Sequence, residues 1–374
     1  MGSSPFSVTT FIVAFALAAA VSASATVVVR RIASRWRVVD DPASAPERKR
    51  HVQPTPLLGG VAIYVAFTVV LWGAVAFVPA LLGGYLQLKH LVGMTVGGFL
   101  LMIGGVLDDR YGLRPSRQFL FPLLAAGVTI AAGIGIPYIT NPLGGTIGLE
   151  SVSWTLFTLD GLPYRIVLWA DLFAFVWLLG MMYTTKFLDG LDGLVSGITV
   201  IGSLVLFVLS LQKTVGQPET AFLAILLAGA AAGFLLFNFH PARIFLGEGG
   251  SVYLGYLLGV VSIISGAKVA TALLVMGIPI LDVVWLMIRR TFIERRTPTA
   301  PDAKHLHFRL LDAGFSHRGA VFFLYALTAG FGAASLFVAG TEKLILLVVL
   351  TVVMLIIGVG VVTAYRVRQR LRAS

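Results

Sequence analysis

VLWADLFAFVWLLGMMYTTKFLDGLDGLVSGITVIGSLVLFVLSL, residues 167–211, consists of two apolar runs joined by KFLDGLDGL, Lys186 to Leu194. A bilayer core of about 30 Å takes roughly 20 helical residues, so each run is long enough to cross it. Read as two membrane helices, the stretch leaves Asp189 and Asp192 at an interface rather than in lipid, where carboxylates are expensive. The rest of the chain repeats this pattern. Of 374 residues, 57% are hydrophobic and only 12% charged, against about a quarter charged in soluble domains. The mean hydropathy is +0.92. Membrane β-barrels alternate in short segments and lack such runs. The expected fold class is an all-α polytopic membrane protein, one integral-membrane unit over 1–374 with no soluble domain. The absence of cysteine excludes a disulfide framework.

Length and apolarity place eleven spans, at about 8–29, 57–79, 90–107, 118–136, 166–183, 195–212, 219–238, 251–267, 269–289, 319–340 and 342–365. The uncharged start MGSSPFSVTT lacks the basic region of a cleavable signal, so the first run is expected to be a retained span. With the N-terminus outside and the C-terminus cytosolic, 23 of the 28 Lys and Arg residues face the cytosol, as the positive-inside rule asks. That split explains the net charge of +11 without a nucleic-acid partner. Only Ser265 to Lys268 separate the eighth and ninth runs, and merging these would invert everything downstream. The outer loop 137–165 alternates β-branched and aromatic residues around turn formers, which predicts a small β-hairpin. Asp160-Gly161 within it reads as an ordinary turn.

In this orientation the chemistry-bearing residues gather on the cytosolic side. Adjacent Asp108 and Asp109 repel one another at a helix C-terminus, where the dipole also disfavours them. Asp189 and Asp192, three apart, would share a helix face, with Gly190 and Gly193 allowing close approach. Carboxylate oxygens with room for water and phosphate suit Mg²⁺. FLGEGGS, 245–251, puts Glu248 at a helix start that favours anions. His305 and His307 flank Leu306 and would share a face only in a strand; with Arg309 and Lys304 they suit phosphate contacts better than a metal pair. The bland alternative is a pair of solvated loop histidines. Asp282, inside a span, needs a partner, and Arg289 or Arg290 is within reach along the helix.

RKRHVQPTPLLGG, LDDRYGL, DGLDGLVSGI, FHPARIFLGEGGS and PDAKHLHFRLL, in this order over about 38–320, resemble the polyprenyl-phosphate N-acetylhexosamine-1-phosphate transferases. The HLH loop is closer to the GlcNAc-1-phosphate branch, which starts O-antigen and teichoic-acid lipids, than to the peptidoglycan translocases. The resemblance implies a multi-pass enzyme of the inner (plasma) membrane with a cytosolic active site. Its substrates would be a UDP-N-acetylhexosamine and a polyprenyl phosphate, its cofactor Mg²⁺ with Mn²⁺ as the alternative ion, and its assembly a homodimer. It implies catalytic roles for Asp108, Asp109, Asp189 and Asp192. Substrate contacts would come from Lys49, His51, Lys186, His305, His307 and Arg309, and metal contacts from Asp109, Asp192 and Glu248. Three positions depart from the family pattern: Phe308 stands for a further histidine, Glu248 for the metal-binding Asp, and Lys186 for Asn. Either Lys186 grips a phosphate while Glu248 stays a ligand, or the two pair and partly replace the ion. The competing readings are a diverged homologue that only binds lipid phosphate or nucleotide, and a secondary transporter. Transporter sites sit at the midplane between repeats, which the one-sided clustering and the lack of any visible repeat disfavour.

Overall fold

The computed structural model describes the chain except residues 1–5, 43–52, 83, 142–144, 160–161, 266–268, 296–304 and 374. Lys49, His51 and the Asp160-Gly161 turn therefore lie outside the described residues. Helix α1 (Val8–Arg35) leads through strands β1 (Val39–Asp40) and β2 (Thr55–Pro56) to α2 (Gly59–Phe77), α3 (Leu88–Tyr111) and α4 (Pro115–Ala131). Strands β3 (Tyr138–Thr140), β4 (Thr146–Gly148), β5 (Ser153–Leu159) and β6 (Leu162–Val167) follow. Then come α5 (Leu168–Leu188), α6 (Leu194–Leu211), α7 (Pro218–Asn238), α8 (Gly247–Ile264), α9 (Val269–Val275) and α10 (Gly277–Ile288). The chain ends in α11 (Leu306–Ala313), α12 (His317–Ala334) and α13 (Thr341–Ala373).

Local chemistry sets the boundaries. Pro115 and Pro218 open α4 and α7, where a missing N–H costs nothing. The Ser316 hydroxyl accepts the Gly319 N–H at 3.1 Å to cap α12. Gly193, at φ +79°, supplies the left-handed residue between α5 and α6.

Helices cover all the expected runs, but among the described residues eight are long and apolar enough to cross a membrane. Helix α4, at 17 residues, is shorter, and α12 opens on His317-Arg318. The run expected as one span at 269–289 is two helices, α9 and α10, bent by 78°. Met276-Gly277 and the nearby Pro279 mark the break, since neither Gly nor Pro supports helix continuation. The outer loop holds two antiparallel hairpins, β3–β4 and β5–β6, rather than one, and the second runs on to Val167.

Helices α7 and α8 are innermost, with 78% and 89% of their apolar windows buried, whereas α13 has 11% and faces outward. Small residues allow this packing, because lipid provides no hydrophobic drive between helices and close backbone contact must substitute. Gly229 and Gly233 form a G-x-x-x-G stripe on α7 that meets α1: a β-carbon at Gly233 would lie 2.2 Å from the Ala19 carbonyl oxygen. The start of α8 is wedged between α2 and α3. A β-carbon at Gly60 would meet the Gly250 Cα at 2.2 Å, and one at Gly105 the Gly249 Cα at 2.2 Å. The Gly59 and Gly60 N–H groups donate to the carbonyls of Phe245 and Leu246 at 3.0 and 2.8 Å, locking the α2 start to the segment before α8.

Gly60→Ala should therefore destabilise the detergent-solubilised protein by about 1–3 kcal/mol through backbone overpacking. Gly73→Ala, with nothing within 4 Å of the added carbon, should be neutral or slightly stabilising. Thermal unfolding of the two variants side by side measures this.

Candidate active site

One end of the bundle holds a cavity of about 530 Å³ where the last turns of α3 and α5, the turn 189–193 and the first turn of α8 converge. Asp108, Asp109, Lys186, Asp189, Asp192 and Glu248 all line it. The sequence clusters at 108–109, 186–192 and 245–251 thus form one site.

Four of these carboxylates, Asp108, Asp109, Asp192 and Glu248, have polar partners. Asp108 Oδ1 accepts the Leu113 N–H and the Gln118 side-chain amide, both at 2.8 Å. Asp109 Oδ1 accepts the Glu248 N–H at 2.9 Å, so it sits at the N-terminus of α8, where the helix dipole favours negative charge. The Lys186 ammonium pairs with Glu248 and donates to Gln118 Oε1 at 3.1 Å. Gln118 thereby bridges Asp108 and Lys186. Asp192 Oδ2 accepts from the Ala242 N–H at 3.0 Å and lies 2.7 Å from His240 Nδ1. Asp189 is exposed at the cavity wall, yet the protein packed around its carboxyl limits the water it can hold. That restricted hydration, then the negative charges of Glu248, Asp109 and Asp192, push its carboxyl up to about 8.

Asp189 and Asp192 do not share a helix face as their spacing suggested. Helix α5 stops at Leu188 and α6 begins at Leu194, so both carboxylates sit in the intervening turn. Asn238, at the end of α7, fixes that turn. Its Oδ1 accepts from the Gly193 N–H at 3.1 Å and the Ser196 hydroxyl at 2.7 Å, while its Nδ2 donates to the Ile244 carbonyl at 3.1 Å. The Tyr325 hydroxyl donates to the Gly193 carbonyl from α12.

The cavity also takes in Asp40, Asn238, His240 and His317, to which sequence reasoning assigned no individual role, although His240 lies within FHPARIFLGEGGS. Asp40 arrives through the β1–β2 pair, in which it faces Thr55. His240 and His317 stack with ring centroids 3.9 Å apart and planes within 13°. Burial lowers the His317 pKa, and the neighbouring His240 lowers it further, against the raising influence of Asp192. Asp192, His240 and His317 bring ligand-type atoms within 4.8 Å of one another. However, an imidazole binds an ion in its own ring plane, and two nearly parallel stacked planes offer no shared point. The trio is a hydrogen-bonded stack, steadied by Arg318, whose Nη2 and Nε donate to the His240 carbonyl at 2.9 and 3.1 Å.

His305, His307 and Arg309 are not among the lining residues, whereas Phe308 is. His305 occupies the N-cap position of α11 and His307 lies in its first turn, both buried, with rings 5.4 Å apart and parallel within 8°. They are thus neither a strand pair nor solvated loop residues. His307 backs the 189–193 turn: a β-carbon at Gly190 would lie 2.2 Å from its Nε2. Asp282 does not pair with Arg289 or Arg290 as its helical spacing suggested. The start of α11 folds back onto it, so Asp282 Oδ2 lies 2.9 Å from His305 Nδ1 and Oδ1 accepts the Leu306 N–H at 2.9 Å. Arg289 instead donates to Glu294 through Nε at 3.0 Å.

Comparison with known proteins places this geometry in context. Residues 91–266 match the model of glycosyl transferase family 4. The chain is 36% identical over 345 residues to the decaprenyl-phosphate N-acetylglucosaminephosphotransferase of Mycolicibacterium smegmatis, covering 85% of this chain and 80% of that protein. It is 31% identical over 308 residues to a probable undecaprenyl-phosphate N-acetylglucosaminyl 1-phosphate transferase of Bacillus subtilis, covering 81% and 77%. The corresponding alpha-N-acetylglucosaminyl 1-phosphate transferase of Escherichia coli O157:H7 is 25% identical over 368 residues, covering 92% and 91%.

Replacing Asp282 by Ala leaves the Leu306 N–H and His305 without their acceptor, which should cost about 1–3 kcal/mol. Asp282→Asn keeps an oxygen for the Leu306 N–H and should lose less. Thermal unfolding ranks the two variants.

Proposed function

The chain belongs to glycosyl transferase family 4, as a polyprenyl-phosphate N-acetylhexosamine-1-phosphate transferase, and from that premise we propose how its cavity carries the reaction. The donor is a UDP-N-acetylhexosamine, with GlcNAc favoured by the names of the relatives, and the acceptor is a membrane polyprenyl phosphate. An oxygen of the lipid phosphate attacks the sugar-linked phosphorus. The bond from that phosphorus to the bridging oxygen breaks, UMP leaves, and a lipid-pyrophosphate-sugar remains, the first intermediate of a cell-envelope glycan. The observation that carries this reading is the single cavity joining the carboxylate pairs Asp108-Asp109 and Asp189/Asp192 to Lys186 and Glu248.

Within this reading Asp109 takes the proton of the lipid phosphate. Its Oδ1 is anchored on the Glu248 N–H, which orients the second oxygen. Lys49 and His51, which precede β2, hold the lipid phosphate. Asp189 and Asp192 bracket the nucleotide side of the diphosphate, and Asn238, His305 and His307 position the turn that carries them. The site is cytosolic, eleven spans cross the plasma membrane, and the arginine-rich end of α13 lies inside, which satisfies the charge asymmetry. A homodimer remains the family expectation for assembly.

Mg²⁺, or Mn²⁺, would take anionic oxygens in a near-octahedral shell. The set expected to hold it is Asp109, Asp192 and Glu248. As arranged, Glu248 is engaged by the Lys186 ammonium, Asp192 by His240 and the Ala242 N–H, and Asp109 by the Glu248 N–H. A dication about 4 Å from an ammonium meets roughly 8 kcal/mol of repulsion at an effective dielectric of 20. The residues present do not fit a resident ion at Glu248.

Asp109→Asn, Asp189→Asn and Asp192→Asn should each lower formation of lipid-linked product from radiolabelled UDP-GlcNAc by about a hundredfold or more while the purified protein stays monodisperse. This scale is typical for loss of a positioned acid–base group. A variant series that folds and keeps full turnover would refute the assigned roles, and wild-type protein that makes no lipid product from any UDP-sugar would favour a binding-only homologue.

The chain has no cysteine, so single cysteines report orientation directly. Lys213→Cys should react with an impermeant maleimide on intact spheroplasts, and Arg114→Cys only after permeabilisation. The reverse pattern would invert the topology.

A further inference from the structure

The cavity that takes a diphosphate is lined by Asp40, Asp108, Asp109, Asp189, Asp192 and Glu248. A donor carrying two phosphate charges meets repulsion there unless a cation intervenes. Among the described lining residues, one lysine stands in this ring of acids: Lys186, at the end of α5. It is not a surface ion pair. Its side chain and that of Glu248 are 20% and 22% exposed, and the ammonium is held from two sides, by Glu248 and by Gln118 Oε1 at 3.1 Å. Gln118 is itself fixed by its amide donating to Asp108 Oδ1 at 2.8 Å and to the Leu113 carbonyl at 3.0 Å. An ammonium has three donors, so these two contacts leave one for a ligand at the cavity wall that Lys186 lines, where the Tyr183 ring, its centroid 5.6 Å from the ammonium, is the other neighbour.

Resting on the transferase reading above, we infer that the Lys186 ammonium is the built-in cation of this site: it binds the donor's diphosphate directly, so that the UDP-sugar binds without a divalent ion. Glu248 and Gln118 position the ammonium; neither need touch the donor. In the reaction Lys186 exchanges no proton. It stays charged while the phosphorus–oxygen bond to UMP breaks, and it offsets the charge that collects on the departing UMP phosphate.

The obvious competing role is structural, with Lys186 serving only to neutralise Glu248. The two roles separate by variant. A lysine that serves only Glu248 lets Lys186→Asn/Glu248→Gln, which removes both charges, bind the donor like wild type. A lysine that serves the diphosphate makes that double variant lose donor binding.

The test is calorimetric titration of UDP-GlcNAc into the full-length purified protein, with EDTA and with millimolar Mg²⁺. The expected result is wild-type affinity changed by less than about threefold between the two buffers. Lys186→Asn should weaken binding in EDTA at least tenfold, Lys186→Arg should retain most of it, and Glu248→Gln should bind as tightly as wild type or tighter. Lys186→Asn leaves Glu248 uncompensated and can misfold, so Lys186→Asn/Glu248→Gln, which removes both charges, is the second variant. It too should lose EDTA binding at least tenfold. Manganese binding read by EPR should be weak in wild type and tighter in Lys186→Asn/Glu248→Asp. Donor binding by wild type only with a divalent ion, or wild-type affinity in EDTA for Lys186→Asn/Glu248→Gln, overturns the inference and leaves the transferase assignment standing. No binding of any UDP-sugar in either buffer sinks both.

Discussion

The site depends on backbone meeting backbone. Where α2 and α3 pass the start of α8, Gly60 faces Gly250 and Gly105 faces Gly249 with no side chain between them. In a membrane, helices gain little by hiding apolar surface from one another, so close approach and polar contacts must hold them. Here the approach has a chemical consequence. It brings the first N–H groups of α8 to the last turn of α3, so the Glu248 N–H reaches Asp109. A carboxylate that would be unfavourable at the C-terminus of its own helix is stabilised by the N-terminus of another. A methyl group at Gly105 would lie 2.2 Å from the Gly249 Cα and push the two helix ends apart, and Asp109 would lose its anchor.

The same economy of contacts governs the opposite wall. Turn 189–193 carries two carboxylates but makes few helix hydrogen bonds of its own. It is held from outside, by Asn238 beneath, by Tyr325 from α12 and by His307 behind Gly190. His307 is in turn placed by the start of α11, which Asp282 captures through His305 and the Leu306 N–H. The broken pair α9–α10 belongs to this chain of support, because Asp282 lies on α10 and the bend at Met276-Gly277 sets the direction of that helix. A residue three contacts away from the cavity thus fixes where Asp189 and Asp192 stand.

Composition and run length made the helices legible, because a bilayer imposes one length and one polarity on every span. The acidic motifs were legible because charge in so apolar a chain is rare enough to single out. What was not legible depended on tertiary contact. Spacing along α10 pointed Asp282 at Arg289 or Arg290, yet the chain returns a histidine to it from 23 positions away. Spacing of three put Asp189 and Asp192 on one helix face, but Gly190 and Gly193 end the helix first. Asn238, His240 and His317 carry no periodic signal; they matter only because α7 ends and α12 begins beside the turn. The G-x-x-x-G stripe on α7 was readable in principle from Gly229 and Gly233, and it marks the contact with α1.

Lys186 and Glu248 are where the local rule and the family pattern part. An acid in the first turn of α8 is favoured by the dipole whatever its length, so Glu248 alone needs no explanation. A lysine in the last turn of α5 is equally at ease beside the C-terminal carbonyls. What neither preference explains is that the two side chains meet across the cavity. Removing one partner of such a pair leaves a poorly solvated charge behind, so each residue raises the cost of changing the other alone. An ammonium brings one fixed positive charge where a divalent ion would bring two, and it cannot leave with the product. The remaining charge of the diphosphate must then be met by oriented backbone, and the start of α8, already turned toward this cavity, is the nearest source of it.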